Sequence, residues 1–338
     1  MGPGLLGRVV VRAKKRLTAF ALWRLRALVG VYQSVGHILF PAVVAIATSC
    51  FPGVLCAQFT DPRTYTPGPV GVNDLEFDYT YARQNASIDT SLVVGSENLE
   101  LNKGDLSYTH NFGLLGHFAW ANATVPYASL SGYIAESNIS GSSTGFGDSS
   151  FELAGILKGG KALSAAELSA RERTTSVGVS LTVSVPTGEY NPDKVLNLGT
   201  HRWSFKPEVG IAYPFGPEQK WEVDGYVNAL FFTDNTAYRG IEVLRQEPLP
   251  GLEAHISYTF TPSFWASLDT RYAFRGQTSV DGVAQNNSQE NLIVGTEAHW
   301  LPDSHNSVGL VLAKALVHTN APNYTGVVVK YAYSWGKD

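Results

Sequence analysis

Ser176-Val177-Gly178-Val179-Ser180-Leu181-Thr182-Val183-Ser184-Val185 alternates strictly. Aliphatic side chains take one parity, and glycine or hydroxyl side chains take the other. Successive side chains of an extended chain point to opposite faces, so this stretch predicts a β-strand with one apolar and one polar face. The same reading extends outward in both directions. Leu75, Phe77, Tyr79 and Tyr81 alternate with Asp74, Glu76, Asp78 and Thr80, and Trp203, Phe205, Pro207, Val209, Ile211 and Tyr213 alternate with Arg202, Ser204, Lys206, Glu208, Gly210 and Ala212. Similar patterns recur around 98–112, 116–130, 147–158, 220–233, 250–261, 263–275, 290–301, 306–318 and 324–335.

The connections decide between architectures. Gaps at 84–97, 131–146, 187–200, 234–249 and 276–289 are long and polar, whereas those at 113–116, 214–219, 261–263 and 302–305 are tight turns. Two gaps depart from the pattern, 319–323 being short and 159–173 carrying a helix-like piece, 162–173. Long loops at one end and short turns at the other predict an all-β fold, an up-and-down antiparallel transmembrane β-barrel of about 12 strands spanning 72–335, with a tail at 336–338. Both termini then lie on the short-turn side, the periplasm. A soluble β-sandwich is the alternative, but its strands are about 5–6 residues long and its loops do not alternate in length. The last strand carries Val327, Val329, Tyr331, Tyr333 and Trp335 on one face, a pattern that resembles the signal read by the outer-membrane barrel-assembly machinery.

Composition agrees. The 338 residues are 44% hydrophobic, 12% aromatic and only 16% charged, with 33 Gly and a mean hydropathy of −0.04. Disorder, a disulfide scaffold and a polytopic helical membrane protein are excluded, and nothing basic points to nucleic acid. The net charge of −4 is a sum of unlike parts. Residues 1–57 hold seven basic and no acidic residues, leaving 18 basic and 29 acidic in 58–338, a net −11. The basic stretch, the apolar run from Ile38 to Thr48 and the Ala57 cleavage position read as a signal peptide, followed by a periplasmic segment, 58–71. A lipid anchor on Cys50 or Cys56 lacks a small-residue lipobox. Both Cys and the only Met fall in the leader.

A charge facing lipid at the bilayer midplane costs about 2–4 kcal/mol, so charged strand residues report the lumen. They are Asp74, Glu76, Asp78, Glu152, Arg202, Lys206, Glu208, Glu222, Asp224, Glu253, His255, Asp269, Arg271, Arg275, Glu297, His299 and Lys330. A symmetric turn at Thr261-Pro262-Ser263 pairs residues whose numbers sum to 524, setting Glu253 against Arg271 and His255 against Asp269. Such ladders fill and rigidify a barrel, and the same charges are candidates for solute contact. Tyr226 and Trp265 are candidates for stacking on a solute, and Phe232 for simple packing. The turn formers in 187–200 predict an ordered outer loop or, folded inward, a constriction.

Three segments, Pro186–Lys194, Asn197–Glu208 and Phe231–Asn235, with Gly145-Phe146-Gly147-Asp148 and Val280-Asp281-Gly282-Val283, resemble the transporter family named for the meta-pathway of phenol degradation. The resemblance runs over most of 70–335. It implies a Gram-negative outer-membrane barrel that takes up aromatic or other hydrophobic compounds, with the bilayer, lipopolysaccharide and the assembly machinery as partners and no cofactor. It brings no residue-level site, but it directs attention to Asn197–Glu208 as a loop anchor or entrance gate. Two other functions compete. A catalytic barrel would need a serine beside His255 and Asp269, and neither that nor a metal or phosphate motif is evident, so the chain does not read as an enzyme. A structural or adhesive barrel would act through its outer loops, which are polar and moderately short.

Overall fold

The computed structural model describes residues 60–84, 98–134, 139–194, 196–323 and 325–336. The predicted leader, 1–57, and most of the first long gap lie outside the described residues.

The strands in chain order are β1 (Val72–Gln84), β2 (Asn98–Leu114), β3 (His117–Ile134), β4 (Ile139–Phe146), β5 (Ser149–Lys158), β6 (Ser176–Val185), β7 (Ser204–Phe215), β8 (Trp221–Phe232) and β9 (Asn235–Tyr238). There follow β10 (Glu242–Gln246), β11 (Leu249–Thr261), β12 (Phe264–Arg275), β13 (Thr278–Val280), β14 (Val283–Ala284), β15 (Gln289–Trp300), β16 (Asn306–Thr319) and β17 (Thr325–Gly336). Twelve form a closed antiparallel barrel, in the order β1-β2-β3-β5-β6-β7-β8-β11-β12-β15-β16-β17 and back to β1. Closure leaves no strand edge in the wall, which a bilayer requires because lipid offers backbone groups no hydrogen bonds. Among the described residues no helix is long and apolar enough to cross a membrane.

The alternation that predicts the strands also sorts their faces. Leu75, Phe77, Leu106, Leu153, Val209, Val227, Leu252, Leu268, Leu310 and Val329 are exposed on the outside, while Glu208, Asp224, Glu253, Arg271 and Glu297 are buried inside. Tyr331, Tyr333 and Trp335 stand on the outward face toward the short-turn end, the amphipathic-ring position expected where a bilayer meets water. The β11–β12 ladder has the register read from the turn, Glu253 opposite Arg271 and His255 opposite Asp269.

Three long gaps hold structure that alternation does not announce. The gap 131–146 continues the ladder as a β3–β4 hairpin from Tyr127 opposite Phe146 to Ile134 opposite Ile139. Its Gly- and Ser-rich strand has no apolar face to read. Gaps 234–249 and 276–289 supply a four-stranded sheet, β14-β13-β10-β9, at the loop end. The helix-like piece is shorter than expected. It is one short helix, α1 (Ala165–Ser169), started by a capping box in which Ser164 accepts from the Glu167 amide and Glu167 accepts from the Ser164 amide.

Candidate functional site

The segment 58–71, expected outside the barrel in the periplasm, is corrected by the structure: from Thr60 to Gly71 it runs inside the lumen. It enters at the short-turn end, where Gly71 N donates to Asn111 O at 2.8 Å and Val70 N to Leu163 O at 2.9 Å. At mid-barrel, Thr60 donates from its amide to Glu253 Oε2 (2.9 Å) and from its hydroxyl to Glu208 Oε2 (2.7 Å). Asp61 Oδ2 is 2.6 Å from Lys330 Nζ. Arg63 reaches Ser257 and Thr259 at 2.8 and 3.0 Å, and its guanidinium lies 4.5 Å from the centre of the Trp265 ring. Thr66 Oγ1 donates to Glu222 Oε1, which shares its carboxylate with Arg173. A segment without periodicity of its own is thereby ordered by polar side chains on β7, β8, β11 and β17. Each lumen charge that it satisfies would otherwise cost free energy for being buried.

Tyr65 anchors this plug. Its side chain is fully buried, with the ring 5.3 Å from Tyr226 and 5.9 Å from Trp120, centre to centre. Gly178 and Gly210 face each other across β6 and β7 beneath it. A Cβ on Gly210 would lie 2.0 Å from the ring, and one on Gly178 2.4 Å. The hydroxyl donates to Glu208 Oε1 at 3.0 Å and pairs with Ser180 Oγ at 3.2 Å.

The other end is closed by the loop 186–203. Of the two forms open to this stretch, the inward one is present. Asp148 accepts from the Gly188 and Thr200 amides, each at 2.8 Å, and Glu189 N donates to Phe146 O at 2.8 Å. This holds the loop so that Leu196 and Leu198, both buried, pack with Leu99, Leu101, Leu130, Ile293, Ala313 and Ala315. These side chains make an apolar collar across the mouth. Between plug and collar lies a cavity of about 500 Å³, walled by Glu76, Asp78, Glu152, Lys206 and Phe232 among others. That is within the range of about 300–1,000 Å³ usual for small-ligand sites.

The candidate residues fall as follows. Lys206, Asp269 and Glu297 line the cavity together with His255. Glu208, Asp224 and Glu253 are taken by the plug, with Arg271 Nε 3.5 Å from Glu253 Oε1. Arg202 is not on a strand: β7 begins at Ser204, and Arg202 lies in the collar loop, donating to Gln246 at 2.8 Å and covering Phe232 at 4.3 Å. The stacking candidates are already occupied, Tyr226 by Tyr65 and by Asp61 O (3.1 Å), and Trp265 by Arg63 and by the parallel His299 ring at 4.6 Å. Arg275, expected on the lumen wall, ends its strand exposed and at positive φ. His255 Nδ1 pairs with Asp269 at 2.8 Å, but Nε2 meets no serine hydroxyl. Among the described residues no group of His, Cys, Asp or Glu is arranged to hold a metal.

Comparison with known proteins places this architecture. A family model described as MetA-pathway of phenol degradation matches residues 82–330. The crystal structure of the COG4313 outer membrane channel from Pseudomonas putida F1 is similar at TM-score 0.70 and 22% identity, covering 82% of this chain and 100% of that one. That likeness establishes the fold of an outer-membrane barrel. The KdgM porin (9% identity, 78% and 99% covered, TM-score 0.44) and the CymD monoaromatic hydrocarbon channel (9%, 80% and 89%, 0.41) are too distant to carry an argument. No curated protein matches the chain.

Proposed function

Because the chain belongs to the family described as MetA-pathway of phenol degradation, we propose that this outer-membrane barrel is a channel for passive uptake of small aromatic or other hydrophobic compounds. The observation that carries the reading is the apolar collar of Leu196 and Leu198 against Leu99, Leu101, Leu130 and Ile293. An apolar constriction excludes hydrated ions, because their dehydration is not compensated there, while apolar solutes lose nothing by entering it. Both collar and plug must move for a solute to pass. In this reading the short-turn end faces the periplasm, residues 1–57 direct export, the C-terminal strand engages the assembly machinery, and lipopolysaccharide surrounds the loop end.

The test is uptake of the apolar dye 1-N-phenylnaphthylamine by cells whose outer membrane carries this barrel. Uptake faster than in cells with an empty vector is expected, with no matching gain for sucrose. Equal dye rates would remove the proposal.

A further inference from the structure

The plug places a phenol in the lumen wall. A tyrosine side chain is a para-substituted phenol, and every part of the Tyr65 ring meets a feature shaped for it. The two glycines of the β6–β7 ladder open a flat slot that a single methyl would fill, at 2.4 Å for Gly178 and 2.0 Å for Gly210. Glycine inside a strand weakens it and is kept where another group approaches the backbone closely. Tyr226 and Trp120 present tilted rings at 5.3 and 5.9 Å, the edge-to-face spacing that aromatic pairs favour. Glu208 Oε1 and Ser180 Oγ take the hydroxyl at 3.0 and 3.2 Å.

Glu208 is held in place independently of Tyr65, by Asn228 Nδ2 at 2.9 Å and by Lys206 Nζ at 3.4 Å. The acceptor therefore stays when the tyrosine leaves.

We propose that this socket is a binding site for free phenols, and that Tyr65 is a built-in competitor which such a solute displaces. A ring with a hydroxyl reproduces both the stacking and the charge-assisted hydrogen bond, whereas a ring without one leaves the buried Glu208 oxygen unpaired. Displacement frees the plug at the point where it is packed most tightly, so the solute that opens the lumen is the one that fits it. The intact chain binds phenol weakly, because the tethered ring competes at an effective concentration in the millimolar range. The proposal names the solute class of the channel reading and rests on it for the solute's route to the lumen, though not for binding.

Binding is read by fluorine NMR on the full-length barrel in micelles, with 4-fluorophenol and fluorobenzene as probes. Tyr65→Gly should bind 4-fluorophenol at least tenfold more tightly than the wild type, and Gly210→Ala added to it should abolish that binding while leaving micelle partitioning unchanged. Fluorobenzene should bind Tyr65→Gly about tenfold more weakly than 4-fluorophenol. Tyr65→Phe keeps the ring and removes only the plug's hydroxyl contacts, so 4-fluorophenol should compete several-fold better than against the wild type, a result that does not depend on Tyr65→Gly folding. No gain in Tyr65→Gly, indifference to Gly210→Ala, equal binding of the two probes, or no change in Tyr65→Phe would each overturn the proposal. Tight binding without dye uptake would instead leave the socket standing and remove the channel reading. Uptake without binding would do the reverse.

Discussion

The two stoppers of this lumen are built from opposite chemistry. The plug, Thr60–Gly71, is tied by hydroxyls, amides and a guanidinium to buried carboxylates and hydroxyls of the wall. The collar, in loop 186–203, turns its backbone to Asp148 and its two leucines to an apolar ring. A net hydrogen bond is worth about 0.5–1.5 kcal/mol because water replaces it readily. The plug is thus a set of exchangeable contacts that a polar group on a solute can take over one at a time. Apolar packing offers no such exchange, and only a solute that is itself apolar can substitute for Leu196 and Leu198 at little cost. A filter followed by a competitor passes a narrower class than either alone, namely rings that are apolar enough for the first and carry a hydroxyl for the second.

The largest effect expected tests the polar half. Arg271 is 4% exposed and paired with Glu253, which also receives Thr60 and Asn228. Arg271→Met leaves a buried carboxylate without its cation, so it should cost about 3–5 kcal/mol in urea unfolding from lipid vesicles. Adding Glu253→Met should recover part of that loss, since no buried charge is then left without its partner, although the Thr60 amide and Asn228 lose an acceptor. The double variant should nonetheless conduct more than the wild type, because Thr60 has lost its acceptor. If the single change costs under about 1 kcal/mol, the charged wall is not what holds the plug.

The apolar half responds differently. Leu198→Ala removes a fully buried side chain from the collar and should cost about 2–3 kcal/mol, while Leu198→Met should cost less than about 1.5 kcal/mol. Combined with Tyr65→Gly, Leu198→Ala should admit sucrose, which Tyr65→Gly alone should still exclude. Sucrose passing through Tyr65→Gly alone would show that the collar is no filter.

The wall was legible in the sequence, the collar only as one of two forms open to 187–200, and the plug was not, for a physical reason. Alternation at 176–185 or 250–261 is imposed by lipid on one side and water or charge on the other, so each strand carries its own evidence. The register of Glu253 and Arg271 follows because a tight turn fixes it. Thr60-Asp61-Pro62-Arg63-Thr64-Tyr65 has no such local cause, since its conformation is set by strands distant in the chain, β6, β7, β8, β11, β12 and β17. Arg202 lines the lumen cavity, as expected of a lumen-facing charge, but from the collar loop, because its alternation with Trp203 continues two residues past the point where the ladder stops at Ser204. One signal for the plug was present: Gly178 and Gly210 occupy inward positions of adjacent strands, where a wall facing only water has no use for missing side chains.

The smallest effect expected separates the stoppers by pH. Tyr190 belongs to the collar loop, where its hydroxyl donates to Ala237 O at 3.2 Å and accepts from Asn235 at 3.1 Å, with its ring stacked 4.9 Å from His201. Burial, which disfavours the phenolate, holds its pKa above the ordinary 10.0. The folded loop therefore keeps the proton more tightly than the unfolded one. Its contribution is complete below pH 10 and is lost as the pH rises through the raised value, since the unfolded state ionises first. Raising the pH from 9 to 11 should then speed sucrose passage through the Tyr65→Gly, Leu198→Ala barrel modestly, and Tyr190→Phe in that background should flatten the response. The plug residue is absent from both proteins, so any dependence that survives Tyr190→Phe must come from the wall, and the collar would have no part in it.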